Sequence, residues 1–338
     1  MPHVNRTFFL LGQADMENRG ETTSVRVEGG SMVTKELVGV VPILPFITSD
    51  RTLAAHSRSI VVDQTTKLPP PNPLVHVFNL VGDADSSVNS LHKIQAIINA
   101  MQPRRCFNKP VDVFKTSRAR LPKTLANIPG CIIPRTETAD PKNFSELQAA
   151  CRKFNEWPLI VRSPGYHGGD NMVMLTDESQ IESLRDLAWP YEGICLAQFL
   201  DCRDDAGLYQ KIRVMMVDGV AYARQCIYSD RWKIHTKSRA HLMDQDIGLR
   251  QREEQFLAQL RDRVLKDHAP LFQEIYQRIG LDVFGIDFAL VNDQIVVFEA
   301  NACMHFLGGS DTSSSSYAYT VSYKQALRQA LKKMLVRA

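Results

Sequence analysis

Two stretches of the chain set oxygen-bearing and cationic side chains at strand spacing, a combination suited to work on phosphates. The first is FGIDFALVNDQIVVFEAN at residues 284–301, two apolar runs around Asn292-Asp293-Gln294. Side chains alternate along a strand, so positions two apart share a face. If those three residues form the loop, Val291 pairs with Ile295 and Asp287 falls opposite Glu299, with Asn301 on the same face. Three oxygen donors aimed at one spot suit Mg²⁺, which takes one or two carboxylates together with substrate phosphates. A two-residue loop shifts the register by one and sends Asp287 and Glu299 to opposite faces, leaving two ordinary strand-end carboxylates.

The second stretch is QKIRVMMVDGVAYARQC at residues 210–226. Asp218-Gly219 between β-rich runs signals a two-residue turn. Val217 then pairs with Val220, Arg213 lies directly opposite Arg224, and Lys211 shares their face. Like charges facing each other destabilise a sheet. An anion held between them resolves the conflict, and two arginines can grip a phosphoryl group and neutralise charge as it develops. Arg213 and Arg224 are therefore the candidate catalytic pair. The alternative is that they splay into water or meet carboxylates from elsewhere. A third feature is SPGYHGGDN at 163–171, where Gly165, Gly168 and Gly169 allow backbone N–H groups close to phosphates. Arg162, ending the preceding strand, adds a cation. Alone, such a loop is more often a plain turn, and neither GxxxxGK[ST] nor GxGxxG is present.

Other chemistries find less support. The histidines lack metal-ligand spacing, and no GxSxG elbow occurs. Cys303 beside Asn301 and His305 reads as a packed cysteine rather than a nucleophile. The seven cysteines are scattered without a CxxC pair, which fits reduced thiols in a cytoplasmic protein. A net charge of +3 gives no case for nucleic-acid or membrane-surface binding. No apolar run reaches transmembrane length.

The elements that must position these residues follow from periodicity. Residues 74–80 and 159–162 read as buried strands, and 90–101 as a helix with Leu91, Ile94, Ile97 and Ile98 on one face. KLPPPNP at 67–73 cannot continue a helix or a central strand. Further strands are expected at 7–11, 37–43, 131–134, 172–175, 194–200, 208–217 and 220–227, and further helices at 116–128, 143–155, 253–279 and 323–336. Residues 310–316 read as a mobile polar segment. At 338 residues the chain splits into an N-terminal α/β domain at 1–110, a central lobe at 111–195 and a C-terminal lobe at 196–338.

In this order the pieces resemble the ATP-grasp superfamily, most closely its glutathione-synthetase-like and ribosomal-protein-glutamate-ligase-like branch. The likeness spans residues 107–309. VFNLVGDAD at 77–85 resembles the small pre-ATP-grasp domain. The resemblance implies an α/β fold of α+β lobes that binds ATP with Mg²⁺, two ions, with Mn²⁺ as a substitute. AQFLD at 197–201 would be the hinge, with Gln198, Phe199 and Leu200 on adenine and Asp201 on ribose. Arg162, Gly168 and Gly169 would meet phosphates; Arg213 and Arg224 would hold phosphate and the reacting carboxylate; Asp287, Glu299 and Asn301 would bind the metal.

Departures from the pattern bear on the substrate. Arg stands at 162 where Lys is usual, and Gln210 or Lys211 stands where many relatives carry Asp. An earlier phosphate-binding cation has only Arg135 as a candidate, and WKIHTKSR at 232–239 offers Lys233, His235, Lys237 and Arg239 to anions. The implied activity is a carboxylate–amine ligase on small-molecule substrates, an amino acid or short peptide, through an acyl phosphate. The resemblance implies that the 163–171 loop closes as a lid. A nucleotide-binding protein without turnover and a phosphotransferase are the alternatives, and the oligomeric state, a homodimer included, is open.

Overall fold

The computed structural model describes residues 6–17, 25–28, 31–34, 37–163, 171–185, 193–235, 238–308 and 316–337. Val75–Asn79 is buried at every position, as its continuous apolar and aromatic run requires of a central parallel strand. It pairs with Arg6–Gln13 on one side and Arg105–Phe107 on the other, and Ser57–Val62 adds to the far edge of Arg6–Gln13, all parallel. Helix Val88–Met101 covers this sheet with Leu91, Ile94, Ile97, Ile98 and Met101, and stops where Gln102 turns left-handed before Pro103. The strand expected at 37–43 is only Leu37–Val38; helices Leu44–Ser49 and Arg51–Ala55 follow, the second capped by Asp50.

The middle lobe is a four-stranded antiparallel sheet in the order Met172–Leu175, Leu159–Arg162, Ile194–Gln198, Thr136–Ala139. Helix Phe144–Phe154 packs on it, started by the N-cap Asn143, which accepts from Glu146 N–H, while Glu146 accepts from the N–H of Lys142 just before the cap. The C-terminal sheet runs Val220–Ser229, Tyr209–Val217, Val283–Val291, Gln294–Asn301, Cys131–Ile132. The helix expected at 253–279 is instead Ile247–Leu260, a π turn at Arg261–Leu265 and Ala269–Ile279, with Pro270 accepted in the opening turn of the last. Among the described residues no helix is long and apolar enough to cross a membrane.

The cores divide the chain differently from the sequence reading. One apolar cluster runs without a break from Phe9, Phe78 and Phe107 of the N-terminal sheet to Ile212, Phe284 and Leu331 of the C-terminal lobe. Val113, Leu121, Leu125 and Ile128 belong to it as well, so the stretch assigned to the start of the central lobe packs on the large body. The middle lobe has its own core, built on Leu147, Cys151, Phe154, Leu159, Val161 and Leu196.

Asn108 braces the large body. Its backbone turns left-handed (φ 48°), which asparagine tolerates better than most residues. Its side chain closes two hydrogen bonds with the backbone of Val283, from Nδ2 to the carbonyl at 2.8 Å and from Val283 N–H to Oδ1 at 2.9 Å. Asp282 accepts from Asn108 N–H at 2.9 Å and from Arg105 at 3.1 Å. Asn108→Ala should therefore cost about 2–4 kcal/mol, because it strips partners from two buried backbone groups. Urea denaturation measures this, and a loss below about 0.5 kcal/mol would contradict the brace.

Candidate active site

The carboxylate hairpin turns on two residues, not three. Asn292 and Asp293 both adopt positive φ (48° and 61°), and Val291 pairs with Gln294. That register alone would part Asp287 from Glu299. A bulge reverses it: Phe288 pairs with Val297, Asp287 with Glu299, and Phe298 is the extra residue between them. Asn301 lies opposite Gly285, and its Nδ2 donates to Glu299 at 3.1 Å. The three oxygen donors thus share one cavity, by a route the alternation pattern did not contain.

The arginine hairpin also departs from its expected register. Asp218-Gly219 makes the turn and Val217 pairs with Val220, but a bulge beside Arg213 leaves Arg224 as the extra residue and sets Arg213 opposite Gln225. The two arginines therefore do not face each other across an anion. Arg213 faces Asp287 on the neighbouring strand and binds it in a fork, Nε to Oδ1 at 2.6 Å and Nη2 to Oδ2 at 2.8 Å. Lys211 adds a third contact, Nζ to Oδ2 at 3.2 Å. Arg224 donates to the carbonyls of Phe306 (2.6 Å) and Gly308 (3.2 Å), and Arg213 to that of His305 (3.0 Å). Both arginines hold the segment that follows Asn301, and neither lines the cavity.

The cavity, about 260 Å³, lies where all three parts of the chain meet. Leu159–Arg162 and Ile194–Gln198 form one wall, with Ile160, Arg162, Cys195 and Ala197. The C-terminal sheet supplies Lys211, Asp287, Val297, Phe298, Glu299 and Asn301. Gln198, Phe199 and Leu200 line it as expected of a hinge, and Phe199 meets Tyr209 and Trp232 edge-on at 6.4 and 6.1 Å. The N-terminal domain contributes Asp83, Ala84 and Asp85. Gly82 permits this approach: a Cβ there would stand 2.7 Å from Ala302 and 3.0 Å from the Cys303 sulfur.

Arg118 is the functional candidate that sequence reasoning missed. It enters the cavity from the turn after Thr116, its guanidinium 3.4 Å from Asp85 and its N–H donating to the same carboxylate at 3.2 Å. Burial disfavours the charge of Arg162, and nearby Arg118 disfavours it further, while Glu299 and Asp85 offset part of that. Two guanidiniums sharing a buried cavity make a natural seat for an anion. The motif clue was slight, a lone SRAR at 117–120 in a stretch that reads as a helix. Burial likewise pushes the Asp85 carboxyl up, against the pull of Arg118.

Several expected residues stand elsewhere. Asp201 is outside the cavity lining, held by Arg203 at 2.5 Å. Arg135 is outside it too, bound to Glu137 and Glu156 and stacked on Phe154. Of the segment at 232–239, Trp232, Lys233 and Ile234 reach the cavity. Arg239 is spent on buried Glu253, at 2.6 Å through both nitrogens, so it is not an open anion acceptor. Cys303 donates to the Gly39 carbonyl, and burial holds its thiol well above the ordinary range, which removes it as a nucleophile. Gly165, Gly168 and Gly169, with the lid they were expected to form, lie outside the described residues, as do Lys237 and most of the segment expected to be mobile at 310–316.

The donor set fits a hard cation. Glu299 has only the Asn301 amide against it among the described residues, and the Asn301 Oδ1, which accepts from Cys303 N–H, keeps a second lone pair. Among the described residues no group of three or more His, Cys, Asp or Glu is placed to hold a metal ion.

The sequence matches no protein-family model and no curated protein. Solved structures do match. The D-alanyl-alanine synthetase A from Vibrio cholerae O1 biovar eltor str. N16961 is similar over 99% of this chain and 100% of its own, with a TM-score of 0.51 at 12% identity. The VanG D-Ala:D-Ser ligase from Enterococcus faecalis is similar over 98% and 99%, with a TM-score of 0.50 at 11% identity. The chain has the ATP-grasp fold.

Asp287 is a test of the site's electrostatics. Burial by itself would raise its carboxyl; Arg213 and Lys211 outweigh that and hold it at about 2. A depressed carboxylate stabilises fully above its ordinary value of 3.8 and loses that contribution as pH falls towards about 2. Asp287→Ala leaves two cations uncompensated and should cost about 3–5 kcal/mol at pH 7, so it is no neutral probe of metal binding. The deficit relative to the unmutated protein should shrink between pH 4 and pH 2 in denaturation experiments, following those same values. A deficit independent of pH would contradict the assignment.

Proposed function

We propose that this chain is an ATP-dependent carboxylate–amine ligase that joins two small molecules through an acyl phosphate and releases ADP and phosphate. The observation that carries the reading is the cavity itself. Glu299, which has no salt bridge among the described residues, and Asn301 share it with Arg118, Arg162 and Lys211, beside an aromatic hinge, in the ATP-grasp fold.

The chemistry has a definite electrostatic problem. A carboxylate oxygen must approach the γ-phosphorus of ATP, and both partners are anions. Arg118, Arg162 and Lys211 line the cavity and reduce that repulsion. Phe199, Leu200, Tyr209, Trp232 and Val297 offer apolar surface for a base. Glu299 and Asn301 are the residues that would hold Mg²⁺, which supplies charge neutralisation to the phosphates when bound. Once the P–O bond to ADP breaks, the acyl phosphate is open to an amine. The amine nitrogen bonds to the acyl carbon, phosphate departs, and the amine gives up a proton. Position in a shared cavity supplies much of the rate, and exclusion of water protects the intermediate. Specificity for the acid and the amine falls to the Asp83–Asp85 turn and to the Lys233 side, the parts of the lining outside the nucleotide set.

The test is ADP release with pooled amino acids and small acids, with hydroxylamine present to trap an acyl phosphate. A hydroxamate formed in step with ADP supports carboxylate activation. Glu299→Gln should lower that rate by about a hundredfold or more while the protein stays folded. ADP release with a stable phosphorylated product and no hydroxamate would mean phosphotransfer instead, and binding without release would mean a non-catalytic nucleotide protein.

A further inference from the structure

The cavity contains an ion pair that the proposed reaction does not use in its present form. Asp287 is 2% exposed, and both of its oxygens are taken by cations. Arg213 occupies Oδ1 and Oδ2 at 2.6 and 2.8 Å, and Lys211 shares Oδ2 at 3.2 Å. Of the four or so lone-pair sites on a carboxylate, three already face positive nitrogens. Arg213 and Lys211 are themselves only 13% and 17% exposed, so their charges are weakly screened.

A divalent ion on the remaining lone pair would lie within a few ångströms of both. Coulomb repulsion at that range in a buried site is several times what water would allow. The neighbouring donors make no ion pair of this kind among the described residues, although Glu299 lies close enough to Arg162 and Arg213 to feel their charges. Glu299, paired directly across the strands with Asp287, has no salt bridge among the described residues, and Asn301 lies two residues along on the same face. Lys211 lines the cavity beside them, so its ammonium can contact a phosphate without leaving Asp287.

We infer that the site holds one divalent ion, on Glu299 and Asn301, and that the Lys211 ammonium on Asp287 fills the place a second ion would otherwise take. This rests on the Mg-nucleotide reading above. It assigns Lys211 a positioning and charge-neutralising role on the phosphates, and it replaces the two-ion site implied by sequence resemblance. A lysine is bonded to the chain, so this part of the neutralisation does not depend on free metal concentration.

The experiment counts Mn²⁺ bound to the full chain at saturating adenylyl imidodiphosphate, by equilibrium dialysis and electron paramagnetic resonance. The unmutated protein should bind one nucleotide-dependent Mn²⁺ per chain, with a spectrum free of Mn–Mn coupling. Lys211→Met keeps the length of the side chain and leaves Arg213 on Asp287; it should admit a second, coupled Mn²⁺. Lys211→Arg should restore a single ion. Two coupled ions in the unmutated protein would overturn the inference and leave the nucleotide reading intact. One ion in both the unmutated protein and a folded Lys211→Met variant would overturn the role of Lys211. Nucleotide without any bound Mn²⁺, or no nucleotide at all, would overturn the reading beneath it and the inference together.

Discussion

Asp287 must be paired with positive charge, and much of the C-terminal lobe is arranged around that need. A carboxylate this deeply buried is stable only with cations and hydrogen-bond donors in good geometry. Arg213 supplies both from the adjacent strand, and the fork it makes fixes the alignment of Tyr209–Val217 against Val283–Val291 at their middle. The remaining guanidinium nitrogen reaches the His305 carbonyl, which draws the segment after Asn301 towards the same point. Arg224, displaced by its bulge, holds the next carbonyls of that segment. One buried charge thus pins one strand register and the course of the chain beyond the metal-binding candidates.

The two bulges give this arrangement its functional form. Without the extra Phe298, a two-residue turn would send Glu299 away from Asp287 and out of the cavity. Without the extra Arg224, two guanidiniums would stand opposite each other and repel. Bulges are common where a sheet must re-aim side chains at a site. The cavity they serve lies between bodies of different construction. The N-terminal domain and C-terminal lobe share one core and are stitched by Asn108 and Asp282, whereas the middle lobe is folded about its own. A lobe with a separate core can shift against the rest at small cost to apolar packing, and the small cluster of Cys202, Ala289 and Val296 with Leu200 lies beside the hinge.

This division explains which parts of the protein were legible in its sequence. The ordered set of motifs was enough for the fold, because the apolar runs, the Asp-Gly turn and the acid-x-Asn strand end are local features. Asp287, Glu299 and Asn301 do line one cavity, but alternation brings them together through a three-residue turn that the structure replaces with a two-residue turn and a bulge. A bulge leaves no mark in a hydrophobic pattern, since Phe298 and Arg224 read as ordinary strand residues. For the same reason Arg213 and Arg224 were set opposite each other. Arg118 could not be found because its place depends on the long-range packing of 110–128 against the large body. Asp201 shows the reverse: a suitable residue type beside the hinge, claimed by Arg203 two residues away.

On the proposed function, the cavity between the lobes seats the phosphates of Mg-ATP on Arg118 and Arg162. The decisive experiment is calorimetric titration of the full chain with adenylyl imidodiphosphate and Mg²⁺. Saturable binding at one nucleotide per chain is expected, weakened about tenfold or more by Arg118→Ala, the loss expected for one charge-assisted contact. Binding of equal strength in a folded Arg118→Ala variant, or no binding to the unmutated chain, would contradict it.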